Sequence, residues 1–458
     1  MSEKIYTMFP TLAVQPPVAA KAKGVVITDE NGKEYLDFSS GVAVVNIGHG
    51  VQEIKDAVVE QMDKFSFVYR GMFANEPLLR LSKQIIDLAP EGMERVFFCS
   101  GGSEANESAI KIARQYQVER GKPSKYKIIS RWQSYHGNTL ATLAVGGRCS
   151  WRWPYDPLLM KNPHIPQCNC YHCPLGMKYP GCGIQCAKEL ERTIQAEGAD
   201  TVSAFIYETV TGAAGSCVIP PKEYFPMVKE ICEKYDVLMI DDEVITGFGR
   251  TGKNFACEHY GYTPDLIATA KGMGSGYVPI GGVIVNKKIV DAFENGSGSL
   301  IHSFTYASHS VACAASSAVL KYMVDHDLFD RVREMGQKWA ERLETLKDLP
   351  MVGDVRCLGL MSGITFVKDK ETRESYPPTT HVADQVFAYC FDHGLMVLPG
   401  SIGSEDGIKG DAMMVNPPFV VEEEQMDKAI GILTDAIKYV YEQISADKEM
   451  DQSARPIG

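Results

Sequence analysis

The stretch PDLIATAKGMGSGYVPIGG, residues 264–282, places one lysine where a buried strand would end in a glycine-rich loop. The apolar run 266–270 predicts the strand, and three spaced glycines follow Lys271. Burial at this point would lower the pKa of the Lys271 ammonium and make its amine suited to holding an aldehyde. A single lysine at a strand end more often only extends its charge to the surface, so its neighbours in the fold decide its role.

The size and charge of the chain favour an enzyme that acts on small molecules. The chain has 458 residues, 45% of them hydrophobic, which predicts two or three structural units. Its 46 basic and 58 acidic side chains give a net charge of −12, which disfavours nucleic acid or an anionic membrane as the main partner. The sequence shows no signal-peptide pattern, and we expect a cytoplasmic protein whose 13 cysteines are reduced.

Helical and strand patterns alternate over residues 56–325, which predicts a large α/β domain with a mainly parallel sheet between helices. Its predicted strands are 95–99, 126–129, 204–207, 237–240, 266–270 and 282–285. Residues 1–55 are predicted to form an N-terminal arm and part of a small domain, with a hairpin near residues 25–38. Residues 326–458 predict a smaller C-terminal α+β domain.

A glycine-rich turn between a strand and a helix predicts a phosphate site. In VFFCSGGSEANESAIKIARQ, residues 96–115, the strand runs into residues 100–103 and then into a strong helical pattern. Free backbone amides and the positive end of the helix would converge there. The spacing matches neither the dinucleotide nor the Walker pattern, and a tight connection without a ligand also fits it.

Two further segments supply a carboxylate and an aromatic ring. VLMIDDEVITGFGRTG, residues 237–252, places Asp242 just beyond a buried strand, at the sheet edge where α/β proteins bind ligands. Asp242 could pair with a buried cation or serve as a helix cap, and Asp241 would serve as a cap equally well. Tyr135, in the tripeptide YHG, is suited to stacking on a flat ring or to ordinary packing.

These four features together meet the requirements of pyridoxal 5′-phosphate (PLP): a lysine for its aldehyde, amides for its phosphate, a carboxylate for its ring nitrogen and an aromatic face for stacking. With them, the chain resembles the class III aminotransferases of the ornithine and 4-aminobutyrate type, in the fold-type I PLP family, over residues 20–445. The resemblance implies an α/β large domain, with a mainly parallel seven-stranded type of sheet between helices, and a small α+β domain.

Within this resemblance, Lys271 is the lysine that binds the cofactor aldehyde and Asp242 is the partner of the pyridinium nitrogen. The other implied cofactor-binding positions are Gly102, Ser103, Tyr135, His136, Glu208, Val244 and Thr305. Thr305 matches a threonine that reaches the phosphate of the neighbouring subunit, which implies a homodimer with shared active sites and leaves a tetramer open. Gly101 and Thr209 replace the serine and the proline that are usual in the family.

The resemblance also bears on the substrates. Met414 and Leu398 occupy two positions where many relatives carry arginines for an α-carboxylate, and Ile245 replaces a glutamine. These replacements predict a less polar pocket whose donor is an ω-amino acid or another primary amine, a β-amino acid derivative included, and whose acceptor is pyruvate or 2-oxoglutarate. Substrate contacts are predicted at Arg70 and Trp151, with Arg148 and Arg152 as alternatives to Arg70, and a surface charge is the other interpretation of these arginines.

Other functions fit the same cofactor motifs. A PLP-dependent racemase or a decarboxylating transaminase of the same fold would use the same four groups, so the motifs do not separate them from an aminotransferase. A noncatalytic PLP-binding or metal-binding protein is a third alternative, and the intact Lys271 disfavours it.

Residues 168–186, CNCYHCPLGMKYPGCGIQC, hold five cysteines and His172 within a short loop. Such density would allow a zinc or iron–sulfur site, although the spacing is not that of paired CxxC ribbons. We expect reduced cysteines that order the loop, with no metal.

Overall fold

The computed structural model describes residues 6–9, 15–398 and 402–453, with side chains up to residue 446 in the last helix. The strands are β1 (Ala19–Lys23), β2 (Val26–Asp29), β3 (Glu34–Asp37), β4 (Met93–Cys99), β5 (Lys127–Arg131), β6 (His164–Ile165), β7 (Val202–Tyr207), β8 (Leu238–Asp242), β9 (Leu266–Thr269), β10 (Gly281–Asn286), β11 (Val352–Leu358), β12 (Met361–Phe366), β13 (Leu395–Met396) and β14 (Asp411–Val415). The helices are α1 (Ser40–Ala43), α2 (Gln52–Lys64), α3 (Glu76–Leu88), α4 (Gly102–Glu119), α5 (Leu140–Val145), α6 (Cys149–Arg152), α7 (Gln185–Glu197), α8 (Tyr224–Lys234), α9 (Lys287–Asn295), α10 (Ser310–Asp325), α11 (Leu328–Glu344), α12 (Val382–Asp392) and α13 (Glu423–Ser453).

The central sheet has seven strands in the order β4-β10-β9-β8-β7-β5-β6. Strands β9, β8, β7, β5 and β6 pair in parallel, whereas β10 runs antiparallel to both of its neighbours. The predicted α/β fold with a mainly parallel seven-stranded sheet is therefore confirmed. The sequence pattern does not predict β6, because a strand of two residues is too short to show a period.

Helices cover both faces of this sheet, so its strands are buried on both sides. Successive side chains of a strand point to opposite faces. On β4, Phe97 packs into one core with Ala109 and Ile112 of α4, and Phe98 packs into the core on the other face. Every residue of β7 is buried, as expected for a strand covered on both faces.

Two smaller sheets lie outside the central one. The first has the order β1-β2-β3-β13, and the second, β11-β12-β14, is antiparallel. The predicted hairpin is confirmed, since β2 and β3 pair antiparallel with Val26 opposite Leu36. Leu395 of β13 also pairs with Leu36, which joins the N-terminal arm to the C-terminal part of the chain. The boundaries after residues 55 and 325 stay predictions.

The parallel strands bring four predicted site segments to one edge of the sheet. Asp242 is the last residue of β8, Glu208 follows β7, and Lys271 comes two residues after β9 ends. Gly102 begins α4, three residues after the end of β4. Ligands of open α/β sheets bind outside the carboxyl ends of the strands, and this edge is where the described structure has its candidate site.

Candidate active site

A cavity of about 140 Å³ opens at this edge of the sheet. Eight of the nine predicted cofactor positions line it: Gly102, Ser103, Tyr135, His136, Glu208, Asp242, Val244 and Lys271. Four lining residues were not predicted as site residues: Asn106, Gly137, Val210 and Thr246. Ile245 also lines the cavity, and the sequence analysis considered it for the substrate pocket but not for the cofactor. The structure thus brings together residues that lie up to 169 positions apart in the sequence, from Gly102 to Lys271.

Lys271 lies at the floor of the cavity in a left-handed backbone conformation, with φ of 38°. Non-glycine residues rarely adopt this region, and those that do are often held there by the surroundings of a functional site. Burial lowers the pKa of Lys271 from 10.5 to about 8, and the nearby carboxylates Asp242 and Glu208 oppose this shift. Roughly a tenth of the amine is then neutral at pH 7, compared with well under a thousandth at a pKa of 10.5, which favours its use as a nucleophile.

Three donors surround the Asp242 carboxylate. Asn106 Nδ2 donates to Asp242 Oδ2 at 2.8 Å, and His136 Nδ1 lies 2.8 Å from the same oxygen. The backbone N–H of Val244 donates to Oδ1 at 3.1 Å. Asn106 Nδ2 also donates to the carbonyl of His136 at 2.9 Å, so the three side chains form one network. These bonds hold the carboxylate in a single orientation.

Asn106 is a site residue that the sequence interpretation missed. It is buried in the second turn of α4, where asparagine is a poor helix former because its side chain competes for backbone hydrogen bonds. A buried asparagine within a helix therefore indicates a specific hydrogen-bond partner. Here that partner is Asp242, at the end of a strand 136 positions away.

The turn before α4 forms a cradle for a small anion. The first backbone N–H groups of a helix lack intrahelical acceptors and carry its positive end. A Cβ atom added at Gly102 would lie 2.9 Å from Val244 Cγ1, and one added at Gly137 would lie 2.5 Å from Ser103 Oγ. Only glycine leaves room at these two positions, so the backbone can approach a ligand closely. Ser103 Oγ accepts a bond from the N–H of Asn138 at 3.2 Å.

An aromatic wall closes one side of the cavity. The Tyr135 ring packs edge to face against Trp151, with ring centroids 5.6 Å apart and an interplanar angle of 86°. The Arg148 guanidinium lies over the Trp151 ring, 4.3 Å from its centroid. Trp151, predicted as a substrate contact, is therefore in contact with a ring that lines the cavity.

Glu208 ties the Tyr135 segment to the loop after β7. Its Oε1 accepts from the N–H of Tyr135 at 3.1 Å, and its Oε2 accepts from the N–H of Gly212 at 2.7 Å. Burial raises the pKa of Glu208, while the nearby His136 opposes this shift. The carboxyl group is placed to hold two loops around the cavity.

These features match one known family over almost the whole chain. The family model for aminotransferase class III matches residues 11–437. This protein is a class III aminotransferase. The family is PLP-dependent, and the chain is accordingly a PLP-dependent transaminase.

Similar proteins share the fold as well as the sequence of this aminotransferase. The putrescine–pyruvate aminotransferase of Pseudomonas aeruginosa is 37% identical over 418 residues, covering 91% of this chain and 89% of its own. A transaminase structure from directed evolution by ancestral reconstruction is 35% identical with a TM-score of 0.91, covering 96% of this chain and 97% of its own. An (S)-enantioselective omega-transaminase from Thermomicrobium roseum is 35% identical with a TM-score of 0.87, covering 96% of each chain.

In the loop of the aminotransferase after β7, Thr209 stands where the resemblance implies a proline. Thr209 Oγ1 donates to Asp241 Oδ2 at 2.7 Å and lies 2.8 Å from the hydroxyl of Tyr262. Burial and the nearby Glu243 raise the pKa of Asp241 well above its usual value. Thr209 therefore has a partner beneath the cavity that a proline could not supply.

A hydrophobic cluster borders the cavity through Val210 and Ile245. Leu398 and Met414 exchange two backbone hydrogen bonds, each of 3.0 Å, so the two positions that hold arginines in many relatives are neighbours here. Both side chains belong to one hydrophobic cluster with Val210 and Ile245. Val210 and Ile245 line the cavity, whereas Leu398 and Met414 pack in the same cluster without lining it. We call these four residues the apolar wall.

Two predicted residues lie away from this cavity. Thr305 is exposed, on the segment between α9 and α10. Arg70 donates through Nη2 to Ser303 Oγ at 3.2 Å, and its guanidinium lies 5.1 Å from the centroid of the Phe97 ring. Neither residue lines the cavity of its own chain, so the predicted roles of Thr305 and Arg70 depend on a second subunit and stay predictions.

The cysteine-rich loop forms a separate small cavity of about 20 Å³. All five cysteines line it, namely Cys168, Cys170, Cys173, Cys182 and Cys186. The Sγ atoms of Cys168 and Cys186 are 3.6 Å apart, and the 13 cysteines of the chain are free thiols. In the part of the chain that the structure describes, the one group with three ligand atoms within 4.8 Å of one another is elsewhere, at Asp241, Glu243 and Cys257.

Proposed function

We propose that this aminotransferase moves an amino group from an ω-amino acid or another primary amine, a β-amino acid derivative included, to a 2-oxo acid such as pyruvate or 2-oxoglutarate. The apolar wall is the observation that carries this proposal. A carboxylate buried against the apolar wall would lose its water without gaining a charged partner, because Met414 and Leu398 stand at the two positions that the resemblance gives to arginine. Donors without a carboxylate on the reacting carbon avoid this cost, so the wall favours them over ordinary α-amino acids.

PLP is the cofactor in this proposal, and the residues around the cavity fit its chemistry. We assign Lys271 to the aldehyde, Asp242 to the ring nitrogen, and the turn at Gly102 and Ser103 to the phosphate. Tyr135 and Val244 would contact the ring, while His136 and Glu208 hold Asp242 and the Tyr135 segment. When bound, PLP withdraws electrons from the reacting carbon of the substrate amine.

The protein side chains supply the proton transfer and the charge balance. Lys271 Nζ is the group that would remove and return the proton at the reacting carbon, since its lowered pKa leaves it partly neutral. Asp242 would stabilise a positive charge placed against its carboxylate, because its three donors fix the orientation beforehand. Asp242 is buried and Lys271 is half-buried, which limits the access of competing water to the reacting atoms.

The relative from Pseudomonas aeruginosa supports a diamine donor and pyruvate as the acceptor. That enzyme is named for putrescine and pyruvate as its substrates, and it is 37% identical to this chain. Putrescine carries no carboxylate, which agrees with the apolar wall of this chain.

We also propose a homodimer with shared active sites, with a tetramer as the larger alternative. The segment that contains Thr305 exposes large apolar side chains, with Ile301 81% and Tyr306 62% accessible. Exposed apolar surface of this kind favours burial against another subunit. Light scattering after size exclusion would measure the assembly, and a monomer that transaminates at full rate would contradict shared sites.

A cytoplasmic location is part of the same proposal and is supported by the 13 free thiols. In residues 6–9, 15–398 and 402–453, no helix is long and apolar enough to cross a membrane.

A screen of half-reactions tests the proposed function. The PLP-loaded enzyme would be mixed with putrescine, β-alanine, 4-aminobutyrate or L-alanine, and the visible absorbance of the cofactor recorded before and after addition of pyruvate or 2-oxoglutarate. We expect loss of the band with at least one donor that lacks an α-carboxylate, and recovery with an oxo acid. Racemisation of alanine, or release of carbon dioxide without recovery by any oxo acid, would instead support the racemase or the decarboxylase.

A further inference from the structure

The apolar wall leaves the second half of the proposed reaction without a partner for its substrate. A 2-oxo acid carries a carboxylate next to its reacting carbonyl, and neither Met414 nor Leu398 can bind it. Another cation near the cavity must neutralise this group if an oxo acid is the acceptor. Arg148 does not itself line the cavity, but it stacks on Trp151, which contacts the cavity residue Tyr135, and its hydrogen-bonding groups are free.

Arg148 lies just before α6, and its side chain is half-buried behind the aromatic wall. Its guanidinium is held over the Trp151 ring at 4.3 Å, and Trp151 in turn contacts Tyr135, which lines the cavity. Stacking on an aromatic face orients a guanidinium and leaves its in-plane N–H donors free. Those donors have the fork geometry that binds a carboxylate with two parallel hydrogen bonds.

Within the described residues, no carboxylate pairs with Arg148 and no atom accepts a hydrogen bond from it. Its Nε atom is fully buried without a partner. Burial lowers the pKa of Arg148, as expected for a cation without a compensating anion. A buried charge in this state is destabilising, and an anionic ligand would relieve the cost.

Other arginines near the site are already bound to the protein. Arg152 donates to the carbonyls of Ala144, at 3.0 Å, and of Gly146. Arg131 donates to the carbonyl of Glu208, and Arg70 is bound to Ser303 away from the cavity. Arg131 leaves its Nε and Nη1 atoms without a partner but is anchored through Nη2. Among these four arginines, Arg148 is the one that donates no hydrogen bond to any described residue.

We propose that Arg148 binds the carboxylate of the 2-oxo acid acceptor, an inference that rests on the proposed function. The site then recognises its two substrates on opposite sides. The amine donor packs against the apolar wall, and the acceptor carboxylate pairs with Arg148 beside Trp151. The same cavity can then bind the two substrates one after the other, and no arginine has to change position between the two half-reactions.

The test compares acceptors with and without a carboxylate. The pyridoxamine phosphate form of the full-length enzyme would be reacted with pyruvate and with propanal in a stopped-flow instrument. For Arg148→Met we expect kcat/KM for pyruvate to fall about 10- to 100-fold, the usual loss for hydrogen bonds to a charged group, while that for propanal changes less than about twofold. Arg148→Lys retains the charge without the fork and is expected to lie between.

Arg192→Met is the matched control, because Arg192 is an exposed arginine on α7 whose loss also removes one positive charge. We expect it to leave both acceptors unchanged. Binding of propanoate, an unreactive carboxylate, gives a readout that does not need turnover. By calorimetry, propanoate is expected to bind the wild type and Arg192→Met, to bind Arg148→Lys more weakly, and to bind Arg148→Met least.

The outcomes separate this inference from the proposed function. Equal losses for pyruvate and propanal, or no loss at all, would overturn the role of Arg148 and leave the aminotransferase proposal intact. A wild type that transfers to no oxo acid would overturn the proposed function itself. If Arg148→Met does not fold, two other measurements decide the question. One is the kcat/KM of Arg148→Lys for pyruvate and propanal, and the other is the affinity of the wild type for propanoate relative to propanamide. Equal affinity for propanoate and propanamide would contradict the inference.

Discussion

The Nδ1 atom of His136 lies 2.8 Å from the Oδ2 atom of Asp242, and both side chains are buried. Asn106 donates to the same oxygen from α4, so the carboxylate is held from two elements at once. A carboxylate with this many donors is fixed in position. This network is the part of the site that gives Asp242 a role beyond that of a loop cap.

Asp242→Asn is expected to lower kcat about 100- to 1,000-fold, since it removes the charge and keeps the shape. The measurement is the rate of the first half-reaction with an amine donor. Asp241→Asn is the matched control on the same strand. Burial raises the pKa of Asp241 well above its usual value, so asparagine resembles its protonated form and activity should persist. An equal loss in both variants would contradict the distinction between the two aspartates.

Lys271→Met is expected to abolish transamination and to stabilise the protein without cofactor. Burial lowers the folded-state pKa of Lys271 to about 8, below its ordinary value of 10.5. Below pH 8 the wild type must keep a buried ammonium, and this cost disappears as the pH rises from about 8 towards 10.5. Denaturant unfolding at pH 7 should therefore show a gain of about 1–3 kcal/mol for Lys271→Met. A gain that is the same at pH 7 and pH 10 would contradict the lowered pKa.

Met414→Arg is expected to shift the donor preference towards α-amino acids. An arginine in the apolar wall would offer a charged partner to an α-carboxylate and would disfavour uncharged donors. We expect the ratio of kcat/KM for L-alanine to that for an uncharged amine to rise at least about tenfold. Met414→Leu keeps the volume and the apolar character, so its ratio should match the wild type. An unchanged ratio in Met414→Arg would show that the wall does not contact the donor.

Gly101→Ser is expected to strengthen PLP binding without disturbing the fold. The backbone at Gly101 is extended, and a Cβ atom added there would meet no atom within 4 Å. Serine would cap α4 and add a hydroxyl beside the turn, with a gain in stability of a few tenths of a kcal/mol, roughly. Gly102→Ser is the contrasting variant, because its Cβ would lie 2.9 Å from Val244 Cγ1. Equilibrium titration with PLP should give tighter binding for the first and weaker binding for the second.

Cys170 is expected to be the first cysteine of its loop to react with iodoacetamide. A hydrogen bond from Cys168 lowers the pKa of Cys170 to about 7, and the side chain is exposed. The thiolate is the reactive form, so the rate should rise as the pH increases through 7. Mass-spectrometric mapping of modified peptides would measure it, with Cys170→Ser as the control. Faster labelling of buried Cys168 would contradict the hydrogen-bond direction.

Much of the fold could be predicted because its signals are local. The strand before Lys271 and the glycine turn before α4 each lie within about ten residues, where periodicity and turn composition are informative. The two-residue strand β6 has no such period, and it forms because the β5 edge offers free backbone groups to His164 and Ile165.

The part of the candidate site that could be predicted consists of residues whose type alone suggests a chemical role. Parallel strands end at one edge of the sheet, so residues that follow successive strands are expected to lie close together. Here these residues are a lysine, a carboxylate and an aromatic ring. The roles of Asn106 and Thr209 could not be predicted in this way. Each depends on a partner in another element, Asp242 for Asn106 and Asp241 for Thr209.

Local sequence patterns were enough to predict most strands and helices, the class of cofactor chemistry and the apolar residues at the two arginine positions. Which side chains share the cavity, the contact of Met414 and Leu398 with Ile245 in one cluster, and the lack of a partner for Arg148 are seen only in the folded chain. This difference follows from the range of the interactions. Backbone preferences act between near neighbours, whereas burial and electrostatic pairing depend on groups that only the packed chain brings together.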